Sequence, residues 1–336
     1  MTYDVHAHVV PRSLQERLAK DGGRCGVTLA DENGRWRIGV GAAASGPVRP
    51  DLLDVDARLS TMDRAGVDVQ LLSAWIALTA YTLPDEQGVA WTRLFNEAMA
   101  ETVAGHPDRF LGLCTVPLQA PDEAATELRY AVQRLGIVGV QIATTVAGRE
   151  LDDPSFAPFW AVAEQLRCIV LVHPDQVLPG RETPRYVLGN FVGNAAETTI
   201  AAAHLVFGGV LERHPDLRVC LVHGGGYAPY QAARMDHGYQ AEPRLVDKRL
   251  SRPPSHYLRR LYFDTVTHSP EVLRFLVDFA GAGQVVVGSD YPFEMGEADP
   301  VGSVERVPGL HESQRQQILE TNVGRLVAEV RHEDQS

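Results

Sequence analysis

A regular alternation of short apolar runs with helical patterns most constrains what this 336-residue chain can fold into. Runs such as residues 110–116 and 168–173 are almost entirely apolar and only a few residues long. Short runs without a polar face are typical of parallel strands that helices cover on both sides. Eight strand candidates follow one another between residues 3 and 292, with helical patterns between them. The sequence therefore predicts an α/β fold, a (β/α)8 TIM barrel.

Hydrophobic periodicity and turn residues place the predicted elements along the chain. The predicted strands cover residues 3–10, 67–73, 110–116, 139–143, 168–174, 217–223, 261–266 and 285–292. The predicted helices cover residues 55–65, 86–105, 121–135, 156–167, 196–212, 271–280 and 312–328. An open doubly wound sheet is the alternative fold, but no GxGxxG motif follows the first strand.

A stretch between residue 12 and about residue 50 interrupts this alternation. Within it, the dipeptide Asn33-Gly34 stands between two short runs with strand character, 27–29 and 36–40. An Asn-Gly pair in that setting is a strong signal for a β-hairpin. We therefore expect a single domain over residues 1–336, with a small β insertion at about 12–50, after the first strand.

Composition argues against several classes of protein. The formal net charge of −12 disfavours a nucleic-acid partner, although an anionic small molecule would respond to nearby arginines rather than to this sum. No stretch approaches the ~20 apolar residues of a membrane span, and the first residues lack the pattern of a signal peptide. The four cysteines form no CxxC pair, so we expect a reduced, cytoplasmic protein without a membrane partner.

The first predicted strand carries two histidines with strand spacing. His6 and His8 lie two residues apart, so both imidazoles should project from one side, with Val5, Ala7 and Val9 on the other. Two imidazoles aimed at one point are suited to a metal ion such as zinc. The alternative is a half-buried strand whose exposed face carries two histidines. Further ligands at the ends of other strands would decide between the two.

Such residues do occur at the ends of three later strands. His173, His223 and Asp290 each close or directly follow an apolar run. The active sites of (β/α)8 barrels form at the carboxyl ends of the strands, so these side chains should meet the two histidines of the first strand. The pattern therefore predicts a metal site. Asp264, on the seventh strand, is a candidate to hydrogen-bond one of the ligands.

The motifs around these residues resemble the amidohydrolase superfamily. Within it, the chain is similar to the branch of 2-amino-3-carboxymuconate-6-semialdehyde decarboxylase, from residue 3 to about residue 330. The resemblance implies an enzyme, a metal-dependent carboxy-lyase that removes CO2 without oxidation from an unsaturated semialdehyde or a hydroxylated aromatic carboxylic acid. The motifs that carry it are HAHVVP at 6–11, QAP at 119–121, GVQI at 139–142, AETTI at 196–200, HGGG at 223–226 and DYPF at 290–293.

The resemblance also implies roles for the residues at the predicted metal site. It makes His6, His8, His173 and Asp290 the ligands of one divalent metal ion, zinc in the first instance and manganese as the alternative. It makes His223 the catalytic acid/base, acting beside Asp290. These assignments come from the match to the family's motifs and not from the strand pattern alone.

On the substrate side, the resemblance implies that Arg234 binds the carboxylate of a small-molecule acid. In this family that arginine often acts across a dimer interface, so we expect a homodimer. Arg49 and Phe293 are the other candidate substrate-binding residues. The chain departs from the family pattern near residues 40–50, where the alignment at Arg49 slips, and at Asp175, where an aromatic side chain would match better.

Other activities remain open on the same set of residues. A hydrolase or hydratase acting on a related acid or lactone would use the same metal site. A barrel that binds a ligand without catalysis is a third alternative, but such proteins tend to lose at least one metal ligand. A decarboxylase and a hydrolase or hydratase can be told apart by their products, because the substrate of the first loses CO2 and the substrate of the second gains water.

Overall fold

The computed structural model describes residues 1–41, 43–175, 185–242 and 250–333 of the chain. Its strands are β1 (Tyr3–Val9), β2 (Val27–Glu32), β3 (Arg35–Val40), β4 (Ala43–Pro47), β5 (Val69–Ala74), β6 (Phe110–Cys114), β7 (Gly139–Ala143), β8 (Thr145–Val146), β9 (Arg149–Glu150), β10 (Ile169–His173), β11 (Arg218–Leu221), β12 (Tyr262–Asp264) and β13 (Val285–Val286). Its α-helices are α1 (Leu14–Asp21), α2 (Val55–Ala65), α3 (Asp85–Gly105), α4 (Pro121–Leu135), α5 (Ala157–Gln165), α6 (Ala195–Phe207), α7 (Val210–Arg213), α8 (Ala228–Ala241), α9 (Pro254–Leu258), α10 (Pro270–Ala280), α11 (Pro300–Glu305), α12 (Glu312–Gln316) and α13 (Asn322–Glu333).

The predicted (β/α)8 barrel is confirmed. Within the described residues, eight parallel strands form one sheet in the order β1, β5, β6, β7, β10, β11, β12 and β13. The sheet closes on itself because β1 also bonds to the residues that directly follow β13. Val5 N donates to Val287 O over 2.8 Å, and Asp290 N donates to His6 O over 2.7 Å.

The strands of the barrel are buried on both faces. In β10, Ile169 and Leu171 belong to an apolar cluster that fills the barrel, together with residues of α13. Val170 and Val172, which alternate with them, belong to a second cluster that packs against the surrounding helices. We call this second cluster the outer cluster. Because successive side chains of a strand point to opposite faces, both faces must be apolar here, which explains why these runs lack polar residues.

The first strand departs from simple alternation. Its register against β5 shifts between Asp4 and Ala7. Val5 joins the cluster that fills the barrel, whereas Val9 packs in the outer cluster. The expectation that Val5 and Val9 share one face is therefore wrong, because a shift in register between them changes the face on which the later residues lie.

The helices begin and end where turn chemistry predicts. Asp54 caps α2, its side chain accepting from Ala57 N over 2.9 Å, and Gly66 ends that helix at a φ of 68°. Helix α4 begins with Pro121 and ends at Gly136, also at a φ of 68°.

In the described part of the chain, no helix has both the length and the apolar character that crossing a membrane requires.

The β insertion forms a small antiparallel sheet between β1 and α2. Strands β2, β3 and β4 pair in that order, and the β2–β3 turn has Asn33 at a φ of 57° and Gly34 at 80°. Two successive positive φ values define the hairpin turn for which Asn-Gly is favoured. Ile38 and Val40 of β3 are buried and share the outer cluster with barrel residues.

Several predicted elements differ from the structure in detail. The helix expected over 312–328 is interrupted by a π-helical segment, Gln317–Thr321, between α12 and α13. The helix expected over 196–212 is divided into α6 and α7, because Gly209 takes a φ of 71° between them. The last strand is shorter than the predicted 285–292, since only β13 and an isolated bridge between Ala7 and Tyr291 remain in strand pairing. The residues between β13 and Tyr291 leave the sheet, and they place Asp290 at the mouth of the barrel.

Candidate metal centre and catalytic cavity

The carboxyl ends of the barrel strands bring four of the predicted residues together. One potential ligand atom from each of His6, His8, His173 and Asp290 lies within 4.8 Å of all the others, and the four side chains are buried. His6 Nε2 lies 3.2 Å from His8 Nε2 and 3.4 Å from Asp290 Oδ1. His8 Nε2 lies 3.3 Å from the same carboxylate oxygen. We call these four residues the metal cluster.

The other ring nitrogen of each histidine in the metal cluster is already hydrogen-bonded to an oxygen. The Nδ1–oxygen distances are 2.7 Å for His6 to Asp264 Oδ2, 2.9 Å for His8 to Ala74 O and 2.8 Å for His173 to Pro174 O. Carbonyl and carboxylate oxygens accept hydrogen bonds, so each Nδ1 carries the proton of its neutral ring. The lone pair of each Nε2 is therefore directed into the cluster, as a metal-binding histidine requires.

This donor set fits a divalent metal ion. Three imidazole nitrogens and one carboxylate oxygen are ligands that zinc and related ions accept. Asp290 Oδ1 is buried and has no hydrogen-bond partner within the described residues. A buried oxygen without a partner is costly, and a cation held among the three Nε2 atoms would remove that cost.

The electrostatics of the metal cluster favour the metal-binding forms of His8, His173 and Asp290. At His6, burial would lower the pKa, but the carboxylates of Asp290 and Asp264 raise it. Burial lowers the pKa of His8, and burial with the neighbouring imidazoles holds the pKa of His173 well below its ordinary value. Burial would raise the pKa of Asp290, but the surrounding imidazoles, His6 first, hold it well below its usual range. Neutral imidazoles and an ionised carboxylate are the forms that bind metal, so His8, His173 and Asp290 need to release little or no proton when an ion binds.

His223 stands beside the metal cluster and opens toward solvent. Its Nε2 lies 3.6 Å from Asp290 Oδ2, and its ring centroid lies 5.4 Å from that of His173. Its side chain is 19% exposed, whereas those of His6 and His8 are fully buried. It is therefore the imidazole that both borders the cluster and can meet a substrate.

Two residues of the site hold a backbone conformation that is unfavourable for any side chain. His223 has a φ of 55° and Asp290 a φ of 56°. Such a conformation costs about 1–3 kcal/mol and persists only where the surrounding structure holds it.

After His223, Gly224 N donates to Asp264 Oδ1 over 2.7 Å. A side chain at Gly226 would come within 2.1 Å of Ala195 O, so the glycine run serves the packing of this turn against α6.

A cavity of about 630 Å³ opens from His223 and Asp290. Its walls come from the segment before α6, from the start of α8 and from α10. The volume lies in the range of sites that bind small organic molecules. The residues that line it include Asn190, Phe191, Asn194, Tyr227, Tyr230 and Phe275.

Two of the predicted substrate-binding residues lie together at the edge of the metal cluster. The ring of Phe293 is 5.4 Å from that of His8, and the guanidinium carbon of Arg49 is 5.9 Å from the centre of the Phe293 ring. Arg49 is already paired with Glu294, and with Asp51 over 3.2 Å. The structure therefore brings Arg49 near the site but neutralises much of its charge.

Arg234 lies apart from the other predicted site residues. It is exposed on α8 and does not line the cavity in this chain. Tyr227 and Tyr230, which do line it, precede Arg234 by seven and four residues. This spacing places the three side chains on one face of the helix. Arg234 therefore continues the cavity wall outward, toward the surface.

Sequence reasoning missed the polar residues beneath the metal cluster. Asp4, Arg58, Gln70 and Ser289 are all buried there. Asp4, Arg58 and Ser289 bond to the backbone of its ligands, and Gln70 connects Asp4 with Arg58. Asp4 has the same two-residue spacing as His6 and His8, which is a signal that the sequence carried. Nothing in the sequence connects Arg58 or Gln70 with the histidines, because folding alone brings them close.

The barrel and its metal cluster define a class of protein, the metal-dependent (β/α)8 enzymes whose ligands come from the carboxyl ends of the strands. The chain belongs to the amidohydrolase family, whose model it matches over residues 3–327. The resemblance inferred from the motifs is thereby confirmed, including its branch.

Three similar proteins are decarboxylases. The chain is 32% identical over 320 residues to the 2-amino-3-carboxymuconate-6-semialdehyde decarboxylase of Dictyostelium discoideum, covering 95% of this chain and 89% of the relative. It is 33% identical over 269 residues to the gamma-resorcylate decarboxylase of Rhodococcus jostii, covering 72% of this chain and 79% of the relative. The crystal structure of 5-carboxyvanillate decarboxylase from Sphingomonas paucimobilis matches it with a TM-score of 0.82 at 26% identity, covering 97% of this chain and 98% of the other.

The first prediction concerns the metal content of the cluster. We expect about one divalent ion per wild-type chain, and nearly complete loss of that ion in His6→Ala and His173→Ala, because each change removes one of few ligands. Elemental analysis of the purified proteins measures this. His204→Ala, which removes a histidine outside the site, is the matched control and should keep its metal. Full metal content in both ligand variants would contradict the assignment.

Proposed function

We propose that this protein is a metal-dependent carboxy-lyase that removes CO2, without oxidation, from a hydroxylated aromatic or an unsaturated semialdehyde carboxylic acid. The observation that carries the proposal is the position of His223, which borders the metal cluster on one side and the cavity on the other. Decarboxylation needs a proton donor at the carbon that loses CO2, and imidazole is suited to that task near neutral pH. The decarboxylases to which the chain is similar support the same reaction.

The reaction replaces a C–C bond with a C–H bond. The bond to the carboxylate breaks, its electron pair stays on the conjugated carbon skeleton, CO2 leaves, and the skeleton takes up one proton. His223 delivers that proton, because its ring reaches the cavity while those of His6 and His8 are enclosed. Held by the metal cluster, a divalent ion would polarise the substrate oxygens and draw electron density from the reacting carbon.

Asp264 orients both halves of this machinery. One of its carboxylate oxygens lies 2.7 Å from His6 Nδ1, and the other accepts from Gly224 N over 2.7 Å. The first contact orients a metal ligand, and the second holds the turn that begins at His223. Hydrogen bonds of this kind to ligating histidines fix the ring and its tautomer. Asp264 therefore sets the position of the proton donor relative to the metal.

The cavity walls support a flat, conjugated substrate. Tyr227 and Phe275 offer apolar and aromatic surface, while Asn190 and Asn194 offer amide donors and acceptors on the segment before α6. An aromatic ring with hydroxyl substituents matches both kinds of wall. A conjugated semialdehyde acid of similar length is the other substrate class, and the relative from Dictyostelium discoideum supports it.

We propose one divalent ion per chain, zinc in the first instance and manganese as the alternative. Three imidazoles suit zinc, and the carboxylate with open positions for substrate oxygens would also serve manganese.

We further propose a cytoplasmic location, which the four cysteines support because all are buried and unpaired. A single domain over 1–336 is supported by the insertion residues Ile38 and Val40, which pack in the same cluster as the barrel.

We also propose a homodimer in which α8 contributes to the interface. Several large apolar side chains are exposed around the cavity mouth, among them Tyr230 at 77%, Phe191 at 52% and Phe275 at 45%. Contiguous apolar surface beside a functional site is typical of a binding surface. Arg234 lies on the same face of α8 as Tyr230, so a second copy packed here would bring its own Arg234 toward this cavity.

The second prediction tests the reaction. Metal-loaded protein incubated with gamma-resorcylate, 5-carboxyvanillate and 2-amino-3-carboxymuconate 6-semialdehyde should convert at least one acid to the product lacking CO2. In D2O, that product should carry one deuterium at the vacated carbon, because the proton comes from an exchangeable group. Mass spectrometry measures both. A product that gains the mass of water instead would identify a hydrolase or hydratase.

The third prediction separates His223 from the metal ligands. His223→Ala should keep most of its metal yet lose about 10²–10⁴ in kcat, since it removes the acid/base but no ligand. Metal content and rate are measured on one preparation, with His204→Ala as the control for loss of a histidine elsewhere. Metal loss as complete as in His6→Ala would make His223 a ligand, and an unchanged rate would remove its catalytic role.

The fourth prediction concerns Arg234 and the interface. Arg234→Ala and Arg234→Lys should both lower kcat/KM with metal content unchanged, because a lysine cannot reproduce the two parallel hydrogen bonds of a guanidinium to a carboxylate. The wild-type protein should sediment as a dimer. Steady-state kinetics and analytical ultracentrifugation check these outcomes.

Mixed oligomers decide whether Arg234 acts across the interface. Inactive His223→Ala chains mixed with inactive Arg234→Ala chains should regain part of the activity, because one site of each hybrid dimer then receives both wild-type residues. Subunit exchange is verified by native mass spectrometry. Exchange without recovered activity would contradict a role for Arg234 in the neighbouring site.

A further inference from the structure

Beneath the metal cluster, four buried polar side chains connect the backbone of its ligands. Asp4 lies on β1, Arg58 on α2, Gln70 on β5, and Ser289 directly before Asp290. Asp4, Arg58, Gln70 and Ser289 are 0%, 1%, 3% and 6% exposed. None belongs to the metal cluster itself. We call these four residues the backbone clamp.

Asp4 supplies the carboxyl group of the backbone clamp. Its Oδ1 accepts from His6 N over 3.1 Å and from Ser289 N over 3.0 Å. Its Oδ2 accepts from Gln70 Nε2 over 2.9 Å and from Ser289 Oγ over 2.5 Å. One buried carboxylate therefore joins the backbone of a first-strand ligand to the residue before Asp290, across the seam where the barrel closes.

Arg58 is the cationic end of the backbone clamp. Its Nη1 donates to Gln70 Oε1 over 3.1 Å and its Nη2 to His8 O over 2.5 Å, while its guanidinium lies 4.6 Å from the centre of the Tyr291 ring. Burial lowers the pKa of Arg58 to about 10, so it remains a cation at neutral pH. Its charge is thus directed at the carbonyl of one ligand and at the residue after another.

Both neighbours of Asp290 are held in this way. Ser289 is bound by Asp4, and Tyr291 N donates to Ser289 Oγ over 3.2 Å. His8 N donates to Tyr291 O over 2.8 Å. Asp290 itself has the left-handed φ of 56°, which the surrounding structure has to maintain. The contacts of the backbone clamp end on the very peptide groups that carry three of the four ligands.

We propose that the backbone clamp is a positioning device for the metal centre, setting the spacing of His6, His8 and Asp290 and thereby the affinity and geometry of the bound ion. The proposal rests on the metal centre of the proposed function. None of the four side chains lines the cavity that opens from His223 and Asp290, so their effect on the reaction passes through the ligands. The alternative is that they contribute only to the general stability of the barrel.

The fifth prediction distinguishes these two roles. Ser289→Ala removes the hydroxyl that bonds Asp4 and Tyr291 N, and Arg58→Lys keeps the charge but cannot reach both Gln70 Oε1 and His8 O. Each variant should raise the dissociation constant for Mn²⁺ about 10–100-fold, the range typical of groups that orient metal ligands. Mn²⁺ is titrated into metal-free protein and the free ion is measured by electron paramagnetic resonance. The visible absorption of the Co²⁺-loaded variants should also differ from that of the wild type, and kcat should fall more than KM changes.

Asn96→Ala is the matched control. Asn96 is also a buried polar side chain that ties a helix to the residue after a barrel strand, since its amide donates to Thr115 O and accepts from Thr115 N, each over 2.9 Å. It has no contact with the metal cluster, so Asn96→Ala should lower Tm and leave the Mn²⁺ dissociation constant and the Co²⁺ spectrum as in the wild type. Should Arg58→Lys fail to fold, the milder Ser289→Ala decides.

The outcomes separate this inference from the proposed function. Clamp variants that lose Tm like the control but keep wild-type Mn²⁺ affinity and Co²⁺ spectrum would overturn the positioning role. A wild-type protein that binds metal but decarboxylates no acid would contradict the proposed function and leave the metal-affinity test intact. A wild-type protein that binds no divalent ion would contradict both.

Discussion

The structure depends on a convergence of four polar side chains that cannot be stable by themselves. Three imidazole Nε2 atoms and a carboxylate oxygen are buried within a few ångströms of one another, and Asp290 Oδ1 has no partner among the described residues. Lone pairs directed at one point repel, and burial removes the water that would otherwise solvate them. Such an arrangement persists only if the surrounding protein holds each donor in place and a cation can occupy the centre.

The barrel positions the donor atoms of three ligand candidates through the contact between its first and last strands. His6 and His8 lie on the first strand and Asp290 follows the last, so the seam between the two strands determines their separation. Hydrogen bonds across that seam, from Val5 N and Asp290 N, are backbone bonds. The buried polar groups beneath the cluster reinforce the same seam with side chains. Closure of the sheet therefore also brings His6 and His8 beside Asp290, while β10 supplies His173.

The interior of the barrel is divided by chemistry along its axis. An apolar cluster including Ile169 and Leu171 fills it near α13, whereas histidines and carboxylates occupy the end where the strands terminate. The apolar part supplies stability through burial, at about 25 cal/mol per Å² of apolar surface. The polar end uses some of that stability to keep ligands unpaired and His223 and Asp290 in unfavourable backbone conformations. This arrangement allows a reactive site to rest on a rigid support.

The sequence by itself determined the class of fold and indicated the four residues of the metal cluster. Strands buried on both faces must be apolar throughout, so runs such as 168–173 are visible without any structure, and the residues at their ends stand out. The spacing of His6 and His8 follows from the two-residue repeat of a strand, which is local. Six short motifs, among them those at His223 and Asp290, then indicated the family, which the match over residues 3–327 confirms.

Tertiary structure alone decided which groups surround those ligands. The register shift in β1, which moves Val5 into the barrel, depends on pairing with β5 and leaves no mark in a local pattern. Arg58 and Gln70 meet His8 and Asp4 only because α2 and β5 pack beside the first strand. The exposed position of Arg234 on α8, and its separation from the cavity of its own chain, likewise follow from packing. Contacts between residues far apart in sequence are set by how whole elements pack, and no single segment contains that information.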